Sequence, residues 1–178
     1  MSAIRTIEAT GLQLRQAGRA DAPALADLIN RAFRVERFYA VNERITVEEV
    51  EEHLAKGEFH VLEDEGALAG CVYVELRGER SYVGLLSIDP SRQRGGLGSR
   101  LLAVAEDRAR GEGCAHMDML IVNHRKELPP YYGRRGYAET GTAPFPETTP
   151  TTVPCHFICM SKALGQAEVR PVGAAAEA

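Results

Sequence analysis

Leu85-Leu-Ser-Ile-Asp-Pro-Ser-Arg-Gln-Arg-Gly-Gly-Leu-Gly-Ser-Arg-Leu-Leu102 decides how this chain is read. A strand-like apolar run ends at Ile88, and Asp89-Pro90 breaks it. The turn Gln93-Arg-Gly-Gly-Leu-Gly98 then opens into a helical pattern. Glycines let successive backbone N–H groups point inward with no side chain in the way. A helix N-terminus adds about half a positive charge at the same place. Arg92, Arg94 and Arg100 add mobile positive charge. The combination is a cradle for an anion, and a diphosphate fits it. A P-loop is excluded, because no Gly-Lys-Ser/Thr closes the turn. A dinucleotide fingerprint is excluded as well, since Leu101 stands where its third glycine belongs.

Outward from this segment the pattern alternates strand and helix. Residues 1–10 carry no pattern and read as a loose lead-in; Leu12–Arg15 reads as a short strand. Asp21 is placed to cap a helix with Pro23 in its first turn and Leu25, Leu28, Ile29, Ala32 and Phe33 on one face. Phe33–Arg44 reads as a loop or broken helix. Thr46-Val-Glu-Glu49 is a capping box that starts a second helix with Val47, Val50 and Leu54 as its stripe. Phe59–Glu63, Leu68–Leu76 and Tyr82–Ile88 read as strands joined by short turns, hence an antiparallel meander. Leu97, Leu101, Leu102, Ala105 and Ala109 make a long helix that stops near Gly111 and Gly113. The next strand, Met117–Val122, follows that crossover and is expected parallel to Tyr82–Ile88. A short helix at Pro129–Arg135 and strands at Tyr137–Thr140 and His156–Met160 complete the order, with a Pro/Thr-rich loop at Pro144–Pro154. The expected fold is α/β, with a mixed, mostly antiparallel sheet of about seven strands and about four helices. Residues 165–178 read as a disordered tail after a single domain.

Composition narrows the function classes. The chain has 178 residues, 44% hydrophobic and 26% charged, with a net charge of -4. Nucleic acid is disfavoured as a partner, because it calls for clustered Lys and Arg. No apolar run approaches the roughly 20 residues of a membrane span, and the start has no signal-peptide core. A cytoplasmic protein is expected. The four cysteines, Cys71, Cys114, Cys155 and Cys159, have no zinc spacing, so they read as reduced and no metal is expected.

Gln93-x-x-Gly96-x-Gly98 after a strand and Asp-Pro resembles the acetyl-CoA motif of the GNAT N-acetyltransferases, Gln/Arg-x-x-Gly-x-Gly/Ala. Tyr131-Tyr-Gly-Arg-Arg-Gly-Tyr137 resembles that family's later Tyr-x-x-x-Gly-Phe/Tyr signature, and the order of elements is the family's order. The resemblance spans roughly residues 12 to 162. It implies acetyl-CoA as co-substrate and transfer of the acetyl group to a primary amine through a ternary complex. Leu86, Ser87 and Ile88 would offer their backbone to the pantetheine arm, on a strand that a bulge commonly splays in this family. The backbone N–H near Ile88 would polarise the thioester carbonyl. Gln93, Arg94, Gly95, Gly96, Leu97, Gly98 and Ser99 would hold the pyrophosphate. Many relatives have Gly-Arg where this chain has Arg94-Gly95, a neutral swap for backbone donation.

Tyr132, four residues before Gly136, stands where the family places the acid that protonates the leaving thiolate, with Tyr131 the rival. Asn123 is a candidate for the pantetheine arm, and Arg125 replaces an Asn that the family often has. A general base is missing from view. Deprotonating an amine of pKa near 10 at pH 7 accounts for roughly 4 kcal/mol. Some relatives carry a Glu on the fourth core strand, where this chain has Gly84, Leu85 and Leu86. Glu75, Glu36, Glu127 and His60 are candidates, as is an ordered water. Phe38 and Tyr39 are expected to wall an acceptor pocket, to which Glu36 or Glu43 would attract an ammonium. A small amine, an amino acid, an antibiotic and a protein or peptide N-terminus are all open as acceptors. The family also contains many homodimers. A non-catalytic acyl-CoA-binding module is the competing reading.

Overall fold

The structure is a computed structural model and describes residues 5–6 and 11–165. The elements follow in order: β1 (Arg5–Thr6), β2 (Gln13–Gln16), α1 (Ala22–Ala32), α2 (Val47–Lys56), β3 (Glu58–Asp64), β4 (Ala67–Arg77), β5 (Arg80–Ile88), α3 (Leu97–Gly111), β6 (His116–Val122), α4 (Leu128–Gly133), β7 (Ala138–Pro144) and β8 (His156–Ala163). They form one eight-stranded sheet in the order β1-β2-β3-β4-β5-β6-β8-β7. Seven strands and four helices match the expected fold. The eighth strand corrects the reading of the lead-in, because Arg5 and Thr6 pair with Leu14 and Gln13. The tail reading falls almost wholly on residues 166–178, outside the described part.

β2 to β5 form the antiparallel meander. The β3–β4 hairpin turns at Glu65 and Gly66, both at positive φ (48° and 84°), the twist that two-residue hairpins need. β4 is the central strand. It is buried from Ala69 to Val74, which explains its unbroken apolar run. α1 and α2 cover one face, where Leu25, Leu28, Ile29 and Val50 pack on Phe59, Val61 and Tyr73. α3 covers the other, where Leu97, Leu101, Leu102 and Ala105 pack on Leu62, Val72, Val83 and Met117. Each fully buried large side chain contributes about 1.5–3 kcal/mol, so α3 is held firmly by its apolar face.

Two local readings change. Asp21 sits at the N-cap of α1 but makes no cap bond there. Its carboxylate accepts from the Gly18 N–H at 2.8 Å and pairs with Arg15, so it ties the preceding 3-10 turn to β2. β7 runs to Pro144, well past the expected end, and is exposed almost throughout. No apolar alternation marks such a strand; its pairing with β8 does.

Candidate active site

The site grows out of a fault in the sheet. β5 and β6 run parallel, as the crossover rule requires. They pair only at Arg80–His116, Ser81–Met117 and Tyr82–Asp118. Beyond Tyr82 they separate, leaving that edge of β5 without a ladder partner. The cause is visible one strand over. Cys71 opposes Ser87 and Tyr73 opposes Gly84, so Leu85 and Leu86 together face Val72. This is a β-bulge, and Leu85 adopts φ 51°, a left-handed conformation costly for a branched side chain. The displaced carbonyl of Leu85 is satisfied from the side: the buried Ser87 hydroxyl donates to it at 3.0 Å and the Cys71 thiol at 3.7 Å. Burial pushes the Cys71 thiol up to about 12, so it stays a protonated donor.

β5 ends in the glycine turn. Arg94 (φ 73°) and Gly96 (φ 76°) both sit in the left-handed region, and Gly96 is the N-cap of α3. The first N–H groups of a helix have no intrahelical partners. Here they open onto a cavity of about 1230 Å³ lined by Arg92, Gln93, Arg94, Gly96, Leu97, Gly98 and Ser99. Leu86 and Ile88 line it from β5. Ser87 does not, since its side chain supports the bulge, and Gly95 lies just outside the lining. Arg92 pairs with Asp64 at 2.5 Å, while Arg94 and Arg100 have no ion-pair partner among the described residues.

Tyr131 and Tyr132 of α4 both line the cavity. The Tyr131 hydroxyl lies 3.5 Å from the Ser99 hydroxyl, at the mouth of the cradle. Tyr132 lies edge-on to Tyr131 and Tyr137, with ring centroids 5.0 and 5.9 Å away, and its hydroxyl has no hydrogen-bond partner among the described residues. Burial pushes its phenol up to about 12. Arg135 was not singled out by sequence. Its guanidinium stacks on Tyr131 at 3.6 Å and donates to the Ser99 hydroxyl at 2.7 Å, bringing a positive charge beside the start of α3.

The far end of the cavity is a chamber under two loops. Ala40 bridges Thr151, and the Thr152 N–H donates to the Tyr39 carbonyl at 2.9 Å, so the loops after α1 and β7 form one roof. Tyr39 lines the chamber and is 1% exposed, but Phe38 turns outward at 60% exposed and is not part of the wall. The expected roles of Glu36 and Glu43 change too. Glu36 is buried and pairs with Arg125 at 3.0 Å; Glu43 pairs with Arg37 at 2.5 Å. Both carboxylates are already neutralised by arginines.

A splayed parallel pair ending in a left-handed glycine cap above a helix N-terminus is the arrangement that the Gln93–Gly98 motif led one to expect. The sequence profile of the "Acetyltransferase (GNAT) domain" matches residues 28–154. The chain belongs to the GNAT family. It is 32% identical over 139 residues to an amino-acid acetyltransferase of Neisseria meningitidis, an alignment covering 77% of this chain and 30% of that protein. The chain thus spans less than a third of that relative's length. It is 35% identical over 82 residues to a blasticidin-S acetyltransferase of Streptomyces morookaense, covering 46% and 59% of the two chains. Among solved structures, N-acetylglutamate synthase from Neisseria gonorrhoeae, complexed with coenzyme A and N-acetyl-glutamate, superposes with a TM-score of 0.63 at 27% identity over 87% of this chain and 35% of that one. The ribosomal-protein-S18-alanine N-acetyltransferase from Escherichia coli shares the fold, with a TM-score of 0.69 at 15% identity over 89% and 97% of the chains.

Within this GNAT frame the remaining candidates separate. The Asn123 side chain accepts from the His156 N–H at 3.0 Å, which fixes β6 against β8, and it does not reach the cavity. His60 is bound to Glu58 beside Arg108 of α3, and burial lowers its pKa; it is remote from the chamber. Glu75 is held by Arg77 and by the Tyr73 hydroxyl at a separate cavity of about 320 Å³. Glu36 and Glu127 do line the chamber, both paired with Arg125. At Gly84 a Cβ would stand 2.8 Å from the Tyr82 hydroxyl. The Tyr82 phenol therefore fills the space that a side chain on this strand position would take. Among the described residues no group of His, Cys, Asp and Glu is arranged to hold a metal, and no helix is long and apolar enough to cross a membrane.

The cradle is anchored to α1 by one carboxylate. Asp89 accepts from the Ser91 hydroxyl and N–H (2.6 and 2.9 Å) and from Arg31 (2.5 Å), and these bonds hold its pKa down to about 2. An unfolded aspartate titrates near 3.9. The stabilisation is therefore fully present above about pH 4 and is lost as pH falls toward 2. Asp89→Asn is expected to lower Tm by a few degrees at pH 7. In thermal melts from pH 7 to 2 the gap to the wild type should close between about pH 4 and 2; a gap constant with pH would show that the carboxylate charge is not the cause.

Proposed function

We propose that this chain transfers an acetyl group from acetyl-CoA directly to a primary amine in a ternary complex. The supporting observation is the splay of β5 from β6 beside a Gly96-capped α3, which leaves a free strand edge and an amide cradle opening on one cavity. The free edge around Leu86 and Ile88 would bind the pantetheine amides as an added strand would, and the turn Gln93–Ser99 would bind the diphosphate. An N–H near Ile88 would polarise the thioester carbonyl. The acceptor nitrogen, held in the chamber beside Tyr39, attacks that carbon; the C–N bond forms, the C–S bond breaks, and Tyr132 donates its proton to the departing sulfur. The amine's proton leaves toward solvent, and the Tyr132 phenolate regains a proton from solvent. The similarity to an amino-acid acetyltransferase and a blasticidin-S acetyltransferase supports transfer to nitrogen.

Acetyl-CoA incubated with the protein and a panel of primary amines is expected to release free thiol with at least one of them, at a rate proportional to enzyme. Tight binding of acetyl-CoA by calorimetry with no release on any amine would leave the non-catalytic binding module as the better account.

A further inference from the structure

At its loop end the cavity is lined by four arginines (Arg34, Arg37, Arg44 and Arg125) and four glutamates, three of which are held by arginines. Its acidic side chains are occupied: Glu36 and Glu127 by Arg125, Glu43 by Arg37, and Glu49 by the Thr46 N–H that it caps. Arg44 also lines the chamber, and it has no ion-pair or hydrogen-bond partner among the described residues. The side chain is exposed, and its guanidinium lies 5.2 Å from the Phe33 ring centroid, a contact that leaves the charge unneutralised. Arg44, Tyr39 and Tyr82 line the same cavity.

A second feature points to a ligand independently. The Tyr39 hydroxyl is buried and within hydrogen-bond geometry of no partner, the only such side-chain oxygen or nitrogen among the described residues, although the Glu36 carboxylate lies close enough to raise its pKa. Buried polar groups are nearly always satisfied, so an orphan in a chamber wall marks a partner that arrives from outside. An unpaired guanidinium and an unpaired hydroxyl are both donors. What they share is a preference for an anionic oxygen.

We propose that the acceptor is a carboxylate-bearing amine of the α-amino-acid class, its carboxylate held by Arg44 and the Tyr39 hydroxyl while its amine faces the thioester. This rests on the acetyl-transfer reading above and names the chemistry of its second substrate. The ammonium-attracting roles expected for Glu36 and Glu43 are replaced by an anion-attracting one, because arginines already hold both carboxylates.

Two measurements test it. In the first, thiol release from acetyl-CoA is followed with the twenty L-amino acids, their C-terminal amides and the corresponding decarboxylated amines. The best carboxylated acceptor should exceed its own amide by about 100-fold in kcat/KM, the loss expected when a charge-assisted contact is removed. Arg44→Gln should raise its KM by a similar factor with kcat changed less than about threefold, and Arg44→Lys should recover part of it. In the second, calorimetry with the coenzyme A-loaded protein compares N-acetyl-L-amino acids with their amides, with no turnover required. The acids should bind more tightly, and Tyr39→Phe should weaken them several-fold while leaving Tm unchanged or raised, since it removes an unsatisfied buried oxygen. Equal binding of acid and amide, or an Arg44→Gln protein with unchanged KM, would overturn the proposal. Acid-selective binding without thiol release on any amine would instead count against the transferase reading and leave this one standing.

Discussion

Gly96→Glu is expected to abolish acetyl-CoA binding while leaving a folded protein. Two separate effects act at this position. Gly96 has φ 76°, so any side chain there accepts left-handed strain of about 1–2 kcal/mol. That cost falls on folding and, for a chain of this size, amounts to a few degrees in Tm. A Cβ at Gly96 meets no atom within 4 Å, so no steric collapse is added. The second effect falls on the ligand. A carboxylate at the N-cap would stand among the amides that are to receive the diphosphate. A like charge near 4 Å at a protein surface opposes by about 4 kcal/mol, roughly three decades in Kd. Gly96→Ala separates the two: it carries the strain without the charge. Calorimetry with acetyl-CoA should show Gly96→Ala within about tenfold of the wild type and Gly96→Glu without measurable heat, the two melting within a few degrees of each other. Retained affinity in Gly96→Glu would mean that the glycine turn connects strand to helix and holds nothing.

The cradle was legible in sequence because it is local. Glycine at Gly96 and Gly98, the stop at Asp89-Pro90 and the apolar face of Leu97, Leu101 and Ala105 lie within twenty residues and constrain one another. The parallel placement of β6 followed from the crossover rule alone. The exact bulge was not legible, because Leu85 and Leu86 look like any apolar pair; what singles them out is the register of a different strand, Cys71 to Tyr73. Longer-range contacts were hidden for the same reason. Asn123 is drawn to His156, Glu36 to Arg125 across the chamber, and Arg135 back onto Tyr131 and Ser99. Phe38 and Tyr39 are adjacent, so one turning into the wall sends the other outward, and composition does not say which. Which charged groups in the chamber remain without a partner emerges only after all these pairs have been counted.

Tyr132→Phe is expected to lower kcat by about 100- to 1000-fold with little change in acetyl-CoA affinity, the range for loss of one positioned proton donor. The Tyr132 hydroxyl has no partner among the described residues, so its removal should leave Tm nearly unchanged and confine the effect to the departing sulfur. Burial holds the phenol up at about 12, so it is fully protonated at neutral pH. A weaker acid is a poorer donor to a thiolate in water, but under the proposed mechanism the sulfur would leave beside the buried Tyr132, and desolvation would raise its proton affinity as well. The direction of the shift also makes a kinetic prediction. With the donor's pKa near 12, deprotonation of Tyr132 should produce no fall in kcat between pH 7 and 10, whereas an unshifted phenol would begin to lose its proton near 10. Tyr131→Phe is the matched control. Its hydroxyl is 3.5 Å from Ser99 at the cradle's mouth, so its loss should move acetyl-CoA affinity, if anything, and leave kcat within about threefold. Steady-state thiol release and calorimetry on both variants decide between them. A tyrosine pair whose effects are reversed, with kcat falling in Tyr131→Phe and not in Tyr132→Phe, would assign the acid to the neighbouring residue and rotate the reacting sulfur toward the start of α3.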